Sequence, residues 1–309
     1  MTIQSEIEHA WGSSGNLQLI AERENAVYKI LIKRKPAALR LHRRGYQDDS
    51  AIISELLWTT RLAAAGFSCP KPIAQLDGSW MLKLSDGRSA TVISWVEGNP
   101  IGSSGKSFVG NVTLHCDLYQ DLGQLLAKLH NTTDMIQTSD LTRPAWDLAG
   151  LIGDNPLWGK FWKNSALSEK EKKIFTYTKD EAFNHLNNMK DLDFGLIHAD
   201  ALQENVFIDD DGKLTLIDFD DSGFGYRSYE LGVAISQHSA LPYLDDLISA
   251  IRDGYGSLRT APTFKDIQFF LLLRSLVSVG WAGQRLPKKH PAQRVYIKRA
   301  IDSANRWLT

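Results

Sequence analysis

The sequence predicts an α+β chain in two lobes: a small N-terminal antiparallel β-sheet with one helix, then a larger, mostly helical C-terminal lobe. Three observations carry this. The chain has 309 residues, more than one hydrophobic core usually organises. Strand-like runs crowd into its first hundred residues, whereas long apolar patterns of 3.6-residue period fill the remainder. Between them lies EGNPIGSSGKS, whose Gly and Ser content marks a boundary, so the lobes are expected at 1–96 and 97–309.

Each element follows from local pattern. LQLIAERENAVYKILI (17–32) alternates as two strands around a polar turn at Glu22–Asn25, and AALRLHR (37–43) is a third strand. DSAIISELLWTTRLAAAG (49–66) opens on an Asp-Ser cap and carries Ile52, Ile53, Leu56 and Leu57. It closes on Gly66, as an amphipathic helix does. SWMLKLS (79–85) and ATVISWVEG (90–98) return to strand composition. Beyond the boundary, Leu118, Leu122, Leu125, Leu126 and Leu129 make 117–133 a central helix, and further helices are expected near 168–190, 228–239, 242–256, 264–285 and 291–308. The most apolar run, FFLLLRSLVSVGWAG (269–283), is broken by Arg274 and is shorter than the roughly 18 residues of a membrane span, so it reads as a buried helix.

Composition excludes several functions. With 43% apolar and 23% charged residues the chain is globular, and a net charge of −1 offers no basic field for nucleic acid. Its two cysteines, Cys69 and Cys116, have no metal-binding or disulfide-framework spacing, and the N-terminus lacks the basic-then-apolar order of a signal peptide. A cytoplasmic protein with no membrane partner is expected, and its oligomeric state is open.

The chemistry concentrates in IHADALQENVFIDDDGKLTLIDFDDSG (197–223), where acids alternate with strand-like apolar runs. NVFID and LTLID are joined by DDGK, a hairpin signal. The hairpin brings Asn205 and Asp218 to its open end, nearly opposite each other. An amide oxygen beside a carboxylate is a hard oxygen pair of the kind Mg²⁺ takes. Asp200, five residues before Asn205, faces the same opening, and this constellation suits phosphoryl transfer. Taken singly, each of the three also fits loop capping. Asp209, Asp210 and Asp211 read as a solvated turn, and His198 as a core histidine supporting the loop.

These residues resemble the aminoglycoside phosphotransferase/choline kinase family, relatives of the protein kinases, in the branch of homoserine-kinase-like proteins and bacterial stress-response Ser/Thr kinases. HAD (198–200), Asn205 and IDFDDSGFG (217–225) carry the likeness. It extends through ERENAVYKI (22–30), LRLHRRGY (39–46), SELLW (54–58), SWVEG (94–98) and LGQLLAKLH (122–130). The resemblance implies a bilobal protein-kinase-like fold, ATP and Mg²⁺ as cofactors, Asp200 as base, and Asn205 with Asp218 on the metal. It also implies that 94–96 hold adenine through the Ser94 carbonyl and Val96 amide, that Arg40 and Glu55 form the phosphate-positioning pair, and that backbone near Asn25 cradles phosphate.

The chain departs from the family pattern at four places. Arg40 stands for the usual Lys, Ala199 for Gly, Leu202 for a polar or basic residue, and Glu230 for Asp, the last expected to affect helix anchoring only. Nine residues separate Asp218 from Ser228, too few for a peptide-docking activation segment, so a small-molecule acceptor is favoured. Asp220 and Asp221 suit an amine-bearing alcohol, and Trp146, Tyr226, Trp281 and Arg285 are candidates to line its pocket. A Ser/Thr protein kinase and a non-catalytic nucleotide binder stay open as alternatives.

Overall fold

The computed structural model describes residues 2–308 except 23, 24, 104, 107 and 109. It opens with helix α1 (Ile3–Trp11), which the strand-and-helix pattern above did not anticipate. Its signal is short: Thr2 caps the N-terminus, Gly12 ends the helix at φ 62°, and Ile7 and Trp11 are buried one turn apart. Strands β1 (Ser13–Glu22), β2 (Ala26–Ile32) and β3 (Lys35–Leu41) follow, then helix α2 (Asp49–Ala64), β4 (Met81–Lys83) and β5 (Ser89–Ser94). All neighbours pair antiparallel in the order β1-β2-β3-β5-β4. Of the expected turn at Glu22–Asn25, residues 23 and 24 lie outside the described residues.

The inner face of this sheet packs Ile30, Leu39, Leu41 and Val92 against Ile7 and Trp11. Helix α2 faces the other way as well: Trp58 and Leu62, both fully buried, join the core of the helical part, and the Trp58 ring meets Phe219 edge-on at 5.4 Å. Burying a ring of that size contributes about 2–3 kcal/mol and fixes α2 beside the residue that follows Asp218.

After β5 the chain turns through Gly98, whose φ of 108° no other residue adopts easily. Its backbone is so close to Ile208 that a Cβ would lie 2.4 Å from the carbonyl oxygen. Strand β6 (Asn99–Pro100) then leads to α3 (Val112–Met135), β7 (Ala145–Trp146), α4 (Leu148–Ile152) and α5 (Glu169–Asn188). Next come β8 (Phe194–Ile197), β9 (Val206–Ile208), β10 (Leu214–Leu216), β11 (Gly223–Tyr226) and α6 (Arg227–Ile235). The chain ends with α7 (Leu244–Gly256), α8 (Phe264–Arg285) and α9 (Pro291–Leu308).

Two three-stranded sheets, β10-β9-β6 and β7-β11-β8, flank the chemistry-bearing segment. Around them α3, α6 and α7 build one buried cluster, and α4, α5, α8 and α9 build another. Helix α8 is buried along nearly its whole length, including Arg274 at 4% exposure. Among the described residues no helix is long and apolar enough to cross a membrane.

Candidate active site

The hairpin forms with Ile208, Phe207 and Val206 opposite Leu214, Thr215 and Leu216. Gly212 at φ 79° closes the turn, and the Asp209 carboxylate accepts the amides of Asp211 and Lys213. The ladder continues one step, with the Ile217 amide donating to the Asn205 carbonyl at 2.9 Å. Asn205 therefore stands opposite Ile217. Asp218 is one residue further on, where the chain leaves the sheet at φ 62° with a half-exposed side chain.

Loop 198–205 is held from several directions. His198 is fully buried; its Nδ1 accepts the Asp200 amide and its Nε2 donates to the Ile217 carbonyl at 2.9 Å. Burial pushes its pKa down to about 4, so it is a neutral ring that ties the loop of Asp200 to the strand leading to Asp218. Ala199 adopts φ 62°, the left-handed conformation that explains the family's preference for Gly at this place. Glu230 on α6 accepts the amides of His198 at 2.5 Å and Ala199 at 3.0 Å. The substitution expected to matter for helix anchoring thus anchors the loop.

Both oxygens of Asp200 are engaged. Oδ2 accepts Nδ2 of Asn205 at 2.7 Å, and Oδ1 accepts Nη2 of Arg274 at 2.7 Å. Burial holds the Asp200 carboxyl well above the usual carboxylate range; Arg274 opposes this, while Asp221, Asp218 and Glu204 reinforce it. Sequence reasoning noted Arg274 only as an interruption of an apolar run. That interruption was the signal, since a buried guanidinium needs a partner.

Across the cleft, Arg40 of β3 donates to Glu55 of α2 at 2.7 Å, and both side chains are almost fully buried. The same guanidinium lies 3.6 Å from Asp218 and 3.8 Å from Asp220. Burial works against its charge, but Glu55, Asp220 and Asp218 outweigh it and keep Arg40 ionised. Asp220 has its pKa pushed up to about 8 by burial, against the pull of Arg40. Its Oδ2 accepts the Asn25 amide at 3.2 Å, while Asn25 Oδ1 takes the Arg43 amide at 3.1 Å. Asn25 thereby links the first hairpin to the segment after Asp218.

Beneath these groups, buried Arg143 donates to the main-chain carbonyls of Ala51, Phe219, Asp220 and Ser222. It ties α2 to the 219–222 turn from below.

A cavity of about 520 Å³ opens between the first sheet and the hairpin. Its walls hold Asn25, Arg40, Ser94, Val96, Asp200, Asn205, Asp218, Asp220 and Asp221, so these candidates from the sequence meet in one space. Glu55 lies behind Arg40. Tyr226 is not brought there: it pairs with Phe194 at the far end of β8, and its ring packs on Phe194 and Phe270. The physical reason is strand length, because three residues of extended chain, roughly 10 Å, separate it from Gly223 at the cleft end of β11. Trp281 is also outside the cavity wall. It packs on Tyr296 and under the Arg285 guanidinium, which in turn covers the ring of Tyr46. Tyr46 donates its hydroxyl to Asp221, whose carbonyl accepts the Trp146 indole at 2.9 Å. Trp146 is therefore a support and Tyr46 a contact that sequence reasoning missed.

The donor set fits a hard divalent cation with phosphate. Both contacts of the Asn205 amide to Asp200 use Nδ2, which leaves Oδ1 available as an oxygen donor in the cavity that Asp218 also lines. Among the described residues no group of three or more His, Cys, Asp or Glu could hold a metal by itself, and Mg²⁺ characteristically completes such a shell with water and phosphate oxygens. Arg40 fits a phosphate too: the residue lines the cavity, and its buried Nη1 makes no hydrogen bond among the described residues, with the Asp218 carboxylate 3.6 Å away.

Curated relatives that align with the chain include two kinases. An amicoumacin kinase of Bacillus subtilis (strain 168) is 26% identical over 240 residues, 75% of this chain and 67% of that one. A homoserine kinase of Rhizobium rhizogenes (strain K84) is 29% identical over 220 residues, 69% of this chain and 61% of that one. The chain thus spans between about three fifths and two thirds of the length of these relatives.

Among solved structures, a microcompartment-associated aminopropanol kinase superposes with a TM-score of 0.83 at 27% identity, covering 99% of this chain and 96% of that one. The amicoumacin kinase hAmiN, in complex with AMP-PNP, Ca²⁺ and Ami, shares the fold with a TM-score of 0.78 at 18% identity, covering 98% and 92%. Residues 16–266 match the APH phosphotransferase enzyme family as a whole. With the family's motif residues gathered in one cleft and its profile running through most of the sequence, the chain belongs to the APH phosphotransferase enzyme family.

Proposed function

We propose that this chain is an ATP- and Mg²⁺-dependent phosphotransferase that moves the γ-phosphoryl group to the hydroxyl of a small amine-bearing alcohol, such as an amino alcohol or the hydroxy amino acid homoserine. The observation that carries the reading is the convergence of Asp200, Asn205, Asp218 and Arg40 on one 520 Å³ cavity. Residues 1–96 supply the nucleotide side, with Ser94 and Val96 as the adenine-facing edge and Arg40, steadied by Glu55, toward the phosphates. Residues 97–309 supply the base and the acceptor side. Asp200 receives the acceptor's hydroxyl proton, and Asn205 Oδ1 with the Asp218 carboxylate would hold Mg²⁺. A cation held by these residues would supply positive charge to offset that of the nucleotide phosphates.

On the acceptor side, Asp221 is the carboxylate best placed for an ammonium group, since Tyr46 and Trp146 fix it at the cavity wall. Asp220, bonded to Asn25, serves the junction between the lobes instead. Relatives named for homoserine and aminopropanol support an amine-bearing acceptor. The proposed setting is the cytoplasm.

The test is ADP release from Mg-ATP across a panel of L-homoserine, 1-amino-2-propanol, choline, aminoglycosides and a casein-like protein. Turnover with a small amine-bearing alcohol and none with the protein is expected. Turnover with the protein alone overturns the acceptor class. A rise in melting temperature with Mg-ATP but no ADP from any acceptor makes the chain a nucleotide binder without catalysis.

A further inference from the structure

We infer that Arg274, from the middle of α8, is the positioning residue for Asp200 and supplies the positive charge that loop 198–205 lacks at Leu202. The inference rests on the phosphotransferase reading, with Asp200 as base. Glu204, Asp218 and Asp221 line the same cavity as Asp200, and the loop's own basic side chain, His198, is neutral. A cation reaches this cluster from seventy-four residues further along the chain. Arg274 donates Nη2 to Asp200 Oδ1 at 2.7 Å and Nη1 to the Ala199 carbonyl at 3.2 Å. One guanidinium therefore grips two successive residues of the loop, one of them in a left-handed conformation.

The guanidinium has little freedom of its own. It is 4% exposed, and its central carbon lies 4.6 Å from the centre of the Trp158 ring, which fixes its plane. With Asn205 on Oδ2 and Arg274 on Oδ1, the carboxylate is held from two elements and keeps one rotamer. The carboxylate lines the cavity, on the side where the proposed acceptor hydroxyl would enter. A planar fork that meets a side chain and a main-chain carbonyl together is a property of Arg that Lys does not share. Helix α8 is otherwise apolar around this site, from Phe269 to Leu273 and from Leu276 to Val277, so the charge has no other buried acid on its own helix. It acts through Asp200 and does not touch the transferred group.

A double-mutant cycle tests this with the 309-residue chain, Mg-ATP and whichever panel acceptor turns over. Arg274→Met should lower kcat by about 10- to 100-fold, the loss of one charge-assisted hydrogen bond, with nucleotide affinity within about 2-fold of the parent. Arg274→Lys should recover only part of that loss, since an ammonium restores the charge but not the two-point grip. Asp200→Asn lowers kcat further, and Asp200→Asn with Arg274→Met should be no slower than Asp200→Asn alone, to within about 2-fold. Full turnover of Arg274→Met overturns the inference, as does a loss that multiplies with that of Asp200→Asn; in either case Asp200 stands as base. Full turnover of Asp200→Asn itself ends the base assignment and the inference together. If Arg274→Met does not fold, the same cycle run with Arg274→Lys decides, because its smaller loss must also vanish in the Asp200→Asn background.

Discussion

Glu230→Gln isolates the anchor of loop 198–205 with almost no change in shape. The carboxylate accepts two main-chain amides, from His198 and Ala199, and His130 Nε2 lies 3.7 Å away, all at zero exposure. A carboxamide offers one acceptor oxygen and turns an NH₂ group toward the other amide, so one hydrogen bond is lost and one buried donor is left unsatisfied. That costs about 2–3 kcal/mol.

The cost falls on a loop already carrying Ala199 at φ 62°, a conformation disfavoured by about 1–2 kcal/mol. Melting should drop by about 5 °C, and kcat by about 10- to 100-fold, with Mg-ATP affinity unchanged. A pH series adds a signature. Burial raises the Glu230 pKa from 4.5 to about 7, so the folded state keeps a proton that the unfolded state has released. Its contribution to stability is therefore fully present below pH 4.5 and declines as pH climbs to 7, at about 1.4 kcal/mol per pH unit across the window. Glu230→Gln should lose that component of the slope. Parental melting and kcat in the variant, or an unaltered slope between pH 4.5 and 7 by urea unfolding, would refute the reasoning.

Three further outcomes follow from the site. Asp218→Ala should raise the KM for Mg-ATP by about 10-fold or more while changing melting little, since its side chain is half exposed; retained Mg²⁺ dependence removes it from the ligand set. Arg40→Met should destabilise by about 3–5 kcal/mol, because it strands the buried Glu55, whereas Arg40→Lys keeps that pair and chiefly weakens nucleotide binding. Equal melting of the two variants contradicts this. Tyr46→Phe should raise the acceptor KM by about 10-fold and leave that for ATP alone, as it removes the Tyr46 hydrogen bond from Asp221; a change confined to ATP would assign Tyr46 to the other side of the cleft.

Much of the fold was legible because its elements obey local rules. A helix with one clear apolar stripe, such as α3, a long apolar run such as that of α8, and strands split by a DDGK turn declare themselves in sequence. Helix α1 was missed because nine residues are too few for periodicity to stand out, although its cap and closing glycine were there to read. Strands β6, β7 and β11 escaped because pairs of two to four residues owe their existence to partners distant in sequence.

At the site, Asp200, Asn205 and Asp218 were legible because a hairpin converts spacing into proximity. Tyr226 was misplaced since residue type says nothing about which end of a strand meets the cleft. Arg274 and Tyr46 were missed because each reaches the site through tertiary packing. The likeness to known sequences supplied roles, and the register and burial supplied the places.

Arg143 has a consequence for control. Protein kinases are commonly governed by whether the helix bearing the ion-pairing Glu docks correctly. Here that helix is joined to the turn after Asp218 by one guanidinium shared among four carbonyls, Ala51 on the helix and Phe219, Asp220 and Ser222 on the turn, so an outward tilt must break either the bond to Ala51 or the three to the turn. Docking of the Glu55 helix therefore rests on a main-chain tie beneath the cleft as well as on the Arg40–Glu55 pair within it.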